Sequence, residues 1–322
     1  MTPPRRQGRK PAASSRRVLV VGDIMLDIMV QPFEPFTRGS DTQAWIGEKQ
    51  GGSGANQAAW LAYFGVDVTL AARVAAADVA AQAALLRGIG VTPALAADPL
   101  YRTGRLVALV ERDGERSFFT DRAANMRLCR ADLPDSLLDD IGLLHISGHA
   151  FFSRQTGPAL RALMKTARQH GIPVSIDPAS ASMLRAFGAA DFLARTSGAA
   201  FCFPNRDEAA VLSGSDDPDE QAVRRRRHFG TLVYKRGDEG AVVVAGGVRF
   251  QAPGRAVKPV DSTGAGDAFL GAYLARHLAG GDMQQCLWAG NSAGEQAVRQ
   301  IGGRPPPRKI QPIAVANDNP PQ

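Results

Sequence analysis

Leu143-Leu144-His145-Ile146-Ser147, a helix-period stretch over 156–170, and Val174-Ser175-Ile176-Asp177 together decide the fold class. Two apolar runs of strand length flank a segment of helix length, which is the pattern of a parallel βαβ unit. The alternation continues downstream. Ala200–Phe203 and Leu232–Lys235 read as strands, and 206–213, 219–229, 265–279 and 283–300 read as helices. Upstream, Arg17-Val18-Leu19-Val20-Val21-Gly22-Asp23 is a β-branched run ending in Gly-Asp, as expected of a strand buried on both faces. Gly51-Gly52-Ser53-Gly54 then turns the chain into a helix over Ala55–Phe64. The expected class is α/β: a doubly wound, mostly parallel sheet flanked by helices.

Two segments break the alternation. Residues 28–50 read as irregular, with Phe33, Phe36 and Trp45 among polar residues. Residues 104–121 read as a hairpin, with Asp113-Gly114 as the turn between Leu106–Val110 and Ser117–Phe119. Together they are expected to form a small β-sheet over the main one, a lid, with its aromatic residues as lid core. A small sheet has exposed edges, so a homodimer through the lid is expected.

The 322 residues include 44% hydrophobic and 21% charged residues, the composition of a globular chain. The net charge of +7 is confined to the ends. Residues 1–17 carry Arg5, Arg6, Arg9, Lys10, Arg16 and Arg17 without an acid, and 304–322 carry Arg304, Arg308 and Lys309 against Asp318. Both ends read as disordered tails, one basic and one Pro-rich, around a near-neutral domain at 18–303. Charge therefore gives no reason to expect a specific nucleic-acid partner. No apolar run has the length of a membrane span, and the N-terminus lacks the apolar region of a signal peptide. Cys129, Cys202 and Cys286 have neither zinc nor redox spacing. A cytoplasmic protein is expected.

The chemistry is carried by Asp261-Ser262-Thr263-Gly264-Ala265-Gly266-Asp267-Ala268-Phe269, which opens a helix. Small residues before a helix let backbone amides face an anion, and the helix dipole adds about half a positive charge there. The amides of Gly264, Ala265 and Gly266 are thus candidates to hold a phosphoryl group in transit. Asp267, in the first turn, is the candidate base that takes the proton of an attacking hydroxyl. The dipole favours its ionised form.

This motif and Gly51-Gly52-Ser53-Gly54-Ala55-Asn56 resemble the two signatures of the ribokinase-like (PfkB) carbohydrate kinases, over residues 18–303. The resemblance implies ATP-dependent phosphorylation of a hydroxymethyl group on a sugar or sugar acid, with ATP and Mg2+ as cofactors. It puts Asp27, Gly52, Ser53 and Asn56 at the acceptor. Asn205 and Glu208 match an N-x-x-E motif linked to magnesium and phosphate, with Glu208 acting through water. Lys235, Gly237 and Gly240 fall in the nucleotide loop, and Asn291 beside the adenine. Asp261 and Thr263 match a monovalent-cation position, K+ in some members. Read from the residues alone, Asn205 and Glu208 also fit a helix cap, and Lys235 a solvated strand end.

The sequence also departs from the family. Ser53 stands where ribokinase has Lys, which speaks against ribose itself. Val74-Ala75-Ala76-Ala77-Asp78 replaces a V-G-x-D pattern, and Asp121-Arg122-Ala123-Ala124-Asn125 has Ala where related sugar kinases often have Gly. His149 reads as structural, and Arg224–Arg227 as a helix face balanced by nearby acids. Two rivals remain: a nucleoside kinase, stacking its base on the aromatic residues, and a catalytically silent nucleotide-binding regulator.

Overall fold

The computed structural model describes residues 16–35, 38–110, 116–217 and 228–307. Asp113-Gly114, Phe36, most of the expected helix 219–229 with Arg224–Arg227, and nearly all of both expected tails lie outside them.

The main sheet has nine strands. They are β1 (Arg17–Val21), β4 (Asp67–Ala75), β5 (Val91–Asp98), β8 (Leu143–Ser147), β9 (Val174–Asp177), β10 (Ala199–Cys202), β11 (Phe229–Lys235), β12 (Ala241–Ala245) and β13 (Val248–Ala252). Their order is β13-β12-β11-β10-β9-β8-β1-β4-β5. All pairings are parallel except those of β12 with β11 and β13.

β1 shows why the sequence is apolar without alternation. Val18 and Val20 enter one core, packed by helices Ser53–Tyr63, Val79–Gly88, Ala265–Leu278 and Met283–Ala297. Leu19 and Val21 enter the other, packed by Thr156–Gln169, Ala181–Phe187, Ala189–Thr196 and Arg206–Ser213. A strand covered on both faces needs apolar side chains at every position.

The strand order also positions the site. From β1 the chain steps outward through β4 and β5, then returns to β8 on β1's other side and proceeds through β9, β10 and β11. Such a reversal leaves a crevice at the carboxyl ends of the strands, where ligands bind. Asp23 follows β1 there, while Asp177 and Lys235 end β9 and β11.

The second sheet has the order β3-β2-β6-β7, from β2 (Met25–Pro32), β3 (Ala44–Gly51), β6 (Gly104–Val110) and β7 (Arg116–Asp121). The hairpin is thus found, but the irregular reading of 28–50 is corrected: most of it is the paired strands β2 and β3. Pro32 closes β2 opposite Ala44, and Pro35 and Gly39 interrupt the pattern only between the two strands.

The expectation that the lid aromatics form a core is also corrected. Phe33, Trp45, Phe118 and Phe119 are 60%, 48%, 56% and 65% exposed, whereas Phe151 and Phe152 are buried in the main core. In the register of the lid, Asp27, Lys49, Leu106 and Thr120 share one face, and Ile28, Glu48, Val107 and Phe119 the other.

Asn125 fastens the lid to the body. Its Nδ2 donates to the Ile24 carbonyl (2.9 Å), and its Oδ1 accepts from the Ile24 amide (3.1 Å). Two residues before it, Ala123 has a φ of 41°, in the left-handed region that a glycine adopts freely. Asn125→Ala leaves both buried backbone groups unpaired. The expected cost is about 1–3 kcal/mol, measured by denaturant unfolding. An unchanged midpoint would show that water replaces the side chain.

Candidate active site

Gly264 begins the chemistry-bearing turn. Its φ is 76°, and a Cβ there would lie 2.4 Å from the Cα of Gly303, so only glycine fits. Ala265 starts the helix that runs to Leu278. The first amides of a helix have no partner within it, but Ala265 donates to the Ser262 carbonyl at 3.3 Å. That contact is long and weak, and it makes Ala265 a poorer anion donor than Gly264 or Gly266. Asp261 is buried and clamps the turn: its Oδ1 accepts from the Thr263 amide and its Oδ2 from the Gly302 amide.

Asp267 meets the glycine-rich turn from the other end of the sequence. Ser53 Oγ donates to its Oδ1 at 2.9 Å, and Asn56 Nδ2 approaches its Oδ2 at 3.4 Å. Asn56 Oδ1 is buried with no partner among the described residues. An unpaired acceptor beside the candidate base fits a substrate hydroxyl. The expectation of an ordinary ionised Asp267 is corrected. Burial and the charge of Asp177 push its pKa up to about 7, against the pull of Ser53, Lys235 and Asn56. Loss of hydration is the largest of these influences.

Gly52 has a φ of 92°, and a Cβ would lie 2.6 Å from the Asp23 carbonyl oxygen. The chain's own packing therefore requires this glycine, whatever a substrate does. Asp23 Oδ1 accepts from the Gly54 amide (2.9 Å), and its Oδ2 pairs with Arg122 (3.1 Å). His149 lies 3.4 Å from Arg122 and packs edge-on to Phe152. Burial drops its pKa to about 4. It is therefore neutral, and its Nδ1 is buried without a partner among the described residues, so it is not the fully satisfied structural histidine expected.

Lys235 is no solvated strand end. Its ammonium pairs with Asp177 at 2.6 Å, and a Cβ on Gly266 would lie 3.2 Å from it. Burial works against its charge, but Asp177 and Glu208 hold its pKa above the ordinary lysine value. Lys235, Gly237, Gly240 and Asn291 all line one cleft of about 390 Å³, which also touches Ala265 and Gly266. Val257, Pro259, Phe269 and Val298 supply an apolar lining. Asn291 Nδ2 donates to the Ala252 and Pro253 carbonyls at 3.1 and 3.0 Å.

Asn205 and Glu208 lie outside this lining and form a capping box. Glu208 Oε2 accepts from the Asn205 amide and Oε1 from its Nδ2, while Asn205 Oδ1 accepts from the Glu208 amide. Burial pushes the Glu208 pKa up to about 7. With both oxygens engaged, the observed geometry is the helix cap. Among the described residues no three His, Cys, Asp or Glu side chains cluster as a metal site.

Sequence reasoning assigned no role to Asp177, Lys49, Asp23 or Arg304. Asp177 and Asp23 could have been found, since each stands at the carboxyl end of a buried strand. Arg304 was placed in a disordered tail, yet the described chain runs on to residue 307 and the Arg304 guanidinium is buried beside Asp27. No described helix is long and apolar enough to cross a membrane.

Residues 15–310 match the family model of the pfkB family carbohydrate kinases. Bifunctional protein HldE of a Shewanella species is 28% identical over 91% of the chain, which spans only 62% of that relative's length. An ATP-dependent ribose-1-phosphate kinase of Halopiger xanaduensis is 27% identical, covering 90% of this chain and 95% of its own. Among solved structures, adenosine kinase from Sinorhizobium meliloti superposes with a TM-score of 0.80 at 24% identity, covering 91% and 96% of the two chains. An E. coli protein provisionally designated Ribokinase II, in complex with ATP and Mg2+, has a TM-score of 0.78 at 25% identity over 89% and 94%. With its mostly parallel sheet, its small separate sheet and both signature turns meeting at one crevice, the chain belongs to the pfkB family of carbohydrate kinases.

Proposed function

We propose that this chain transfers the γ-phosphoryl group of ATP to a hydroxymethyl group of a sugar or sugar derivative. The observation that carries this reading is the position of Asp267. It touches Ser53 and Asn56 on one side, while Gly266 and Lys235 on the other open onto the nucleotide cleft. Asp267 accepts the hydroxyl proton. The amides of Gly264 and Gly266, with a smaller share from Ala265, hold the phosphoryl oxygens. Lys235, released from Asp177, follows the phosphates. Gly237 and Gly240 shape the loop, and Asn291 and the apolar lining hold the adenine. Asp27, Ser53 and Asn56 hold the acceptor. Mg2+ neutralises phosphate charge, with Asn205 and Glu208 acting at most through water. A monovalent cation beside Asp261 and Thr263 belongs to the same proposal and predicts stimulation by KCl over NaCl.

Incubating the protein with ATP, Mg2+ and a panel of sugars, sugar phosphates, sugar acids and nucleosides tests this by ADP release. ATP binding without turnover on any acceptor would point to the silent regulator. One observation favours the nucleoside alternative: Phe118 is exposed on the lid face that carries Asp27. The opposite face exposes Ile46 and Phe119, which suits pairing with a second copy of the chain.

The base also sets a pH profile. Its pKa is raised to about 7, so the active carboxylate is lost as pH falls through that value. The expected kcat/KM rises between pH 6 and 8 and then levels. A flat profile from pH 5 to 8 would mean that Asp267 stays ionised throughout or does not act as base.

A further inference from the structure

Arg304 and Asp27 make an incomplete pair. The Arg304 Nε and Nη2 atoms are buried without a hydrogen-bond partner among the described residues, and so is Asp27 Oδ1. The two groups feel each other's charge, yet no ion pair joins them. A guanidinium has five donors and no acceptor, and burying it unsatisfied is costly. The gap between the two groups is therefore a place for a ligand.

The gap belongs to the acceptor side. Gly303, the neighbour of Arg304, packs on Asn56: a Cβ on Gly303 would lie 2.3 Å from Asn56 Nδ2. Asn56 in turn touches Asp267. On the lid, Lys49 is paired directly opposite Asp27 in the β2–β3 register, and its ammonium donates to the Ile301 carbonyl at 3.2 Å. Asp23 pairs with Arg122, yet its charge still acts on Asp27. Asp23 and Arg304 act on Asp27 with opposite sign, so what the gap offers a ligand is not a surplus of charge but the two unpaired donors of Arg304.

Resting on the kinase reading, we propose that the acceptor is an anionic sugar, bearing a phosphate or carboxylate group, and that Arg304 is the residue that selects it. Asp27 accepts from the sugar hydroxyls, and Arg304 donates to the oxyanion with support from Lys49. A neutral hydroxyl would give the guanidinium one acceptor, whereas an oxyanion gives it two in the matching fork geometry.

The test has two arms. In the first, kcat and KM are measured on ribose 1-phosphate, ribose 5-phosphate, gluconate, ribose and adenosine, for wild type, Arg304→Met and Arg304→Lys. The expected preference is for a phosphate- or carboxylate-bearing acceptor, and the better of the two identifies the oxyanion. Arg304→Met should raise the KM of that acceptor about 10- to 150-fold and leave the KM of ATP alone. Arg304→Lys should recover part of the loss. A wild type that prefers ribose or adenosine overturns the proposal, as does an equal loss on charged and neutral acceptors.

The second arm needs no turnover. With a non-hydrolysable ATP analogue and Mg2+ filling the nucleotide site, inorganic phosphate should raise the melting temperature of wild type more than that of Arg304→Met. Equal shifts overturn the anion site. A larger shift in wild type without turnover on any acceptor would sink the kinase reading and leave the anion site standing.

Discussion

Asp267→Asn is expected to keep the fold and bind ATP while turnover falls by about 10²–10⁴-fold, the usual contribution of a general base. The amide is nearly the same size as the carboxyl. Ser53 can still bond it, because a hydroxyl donates or accepts, and the amide can turn its oxygen toward Asn56. The variant also removes a carboxylate that burial already disfavours, so stability should not fall. What is lost is the ability to accept a proton and to orient the attacking oxygen. The measurements are single-turnover rate, ATP affinity and melting temperature of the purified variant. Turnover within a few-fold of wild type would remove Asp267 from the role of base.

Asp27→Ala should raise the KM of the true acceptor about 10- to 150-fold and leave that of ATP nearly unchanged. A charge-assisted hydrogen bond to a desolvated hydroxyl accounts for that range. Asp27 lies on the site-facing side of the lid, its Oδ1 is buried without a partner, and burial together with the charge of Asp23 pushes its pKa up to about 6. Turnover should fall as well, because a loosely held acceptor spends less time in line with the phosphate. Asn56→Ala should act in the same direction but more weakly, since its bond is neutral. The test varies each substrate in turn at saturation of the other. Equal effects on ATP and acceptor would assign Asp27 a structural role, and an effect on ATP alone would reverse the two ends of the site.

The legible parts of the sequence were those where local chemistry and tertiary demand coincide. β1 carries apolar side chains at every position but its first because both faces are covered, so composition alone exposes it, while β8 and β9 keep their branched apolar residues around His145, Ser147, Ser175 and Asp177. β4 and β5 were missed, because their alanines dilute the strand signal. β12 and β13 also went unread. The lid was half legible: the hairpin reads clearly, while β2 and β3 are separated by the largely polar stretch 33–43, which hides their pairing. Its aromatics were misjudged because an exposed sheet face and a core face have the same alternation, and only neighbours distinguish them.

By itself the sequence determined the sheet class, the two glycine-rich turns and the identity of the candidate base. Backbone geometry at Gly52 and Gly264 is a local requirement that only one residue type meets without strain, so it is written in the letters. Charge states and partnerships were decided by the tertiary structure. Burial and Asp177 raise the pKa of Asp267, Asp177 holds Lys235, and Glu208 turns inward to cap its helix. Arg304 comes to face Asp27 across a gap that no stretch of sequence contains. Electrostatic energy depends on distance and hydration, and both exist only once residues far apart in the chain are packed together.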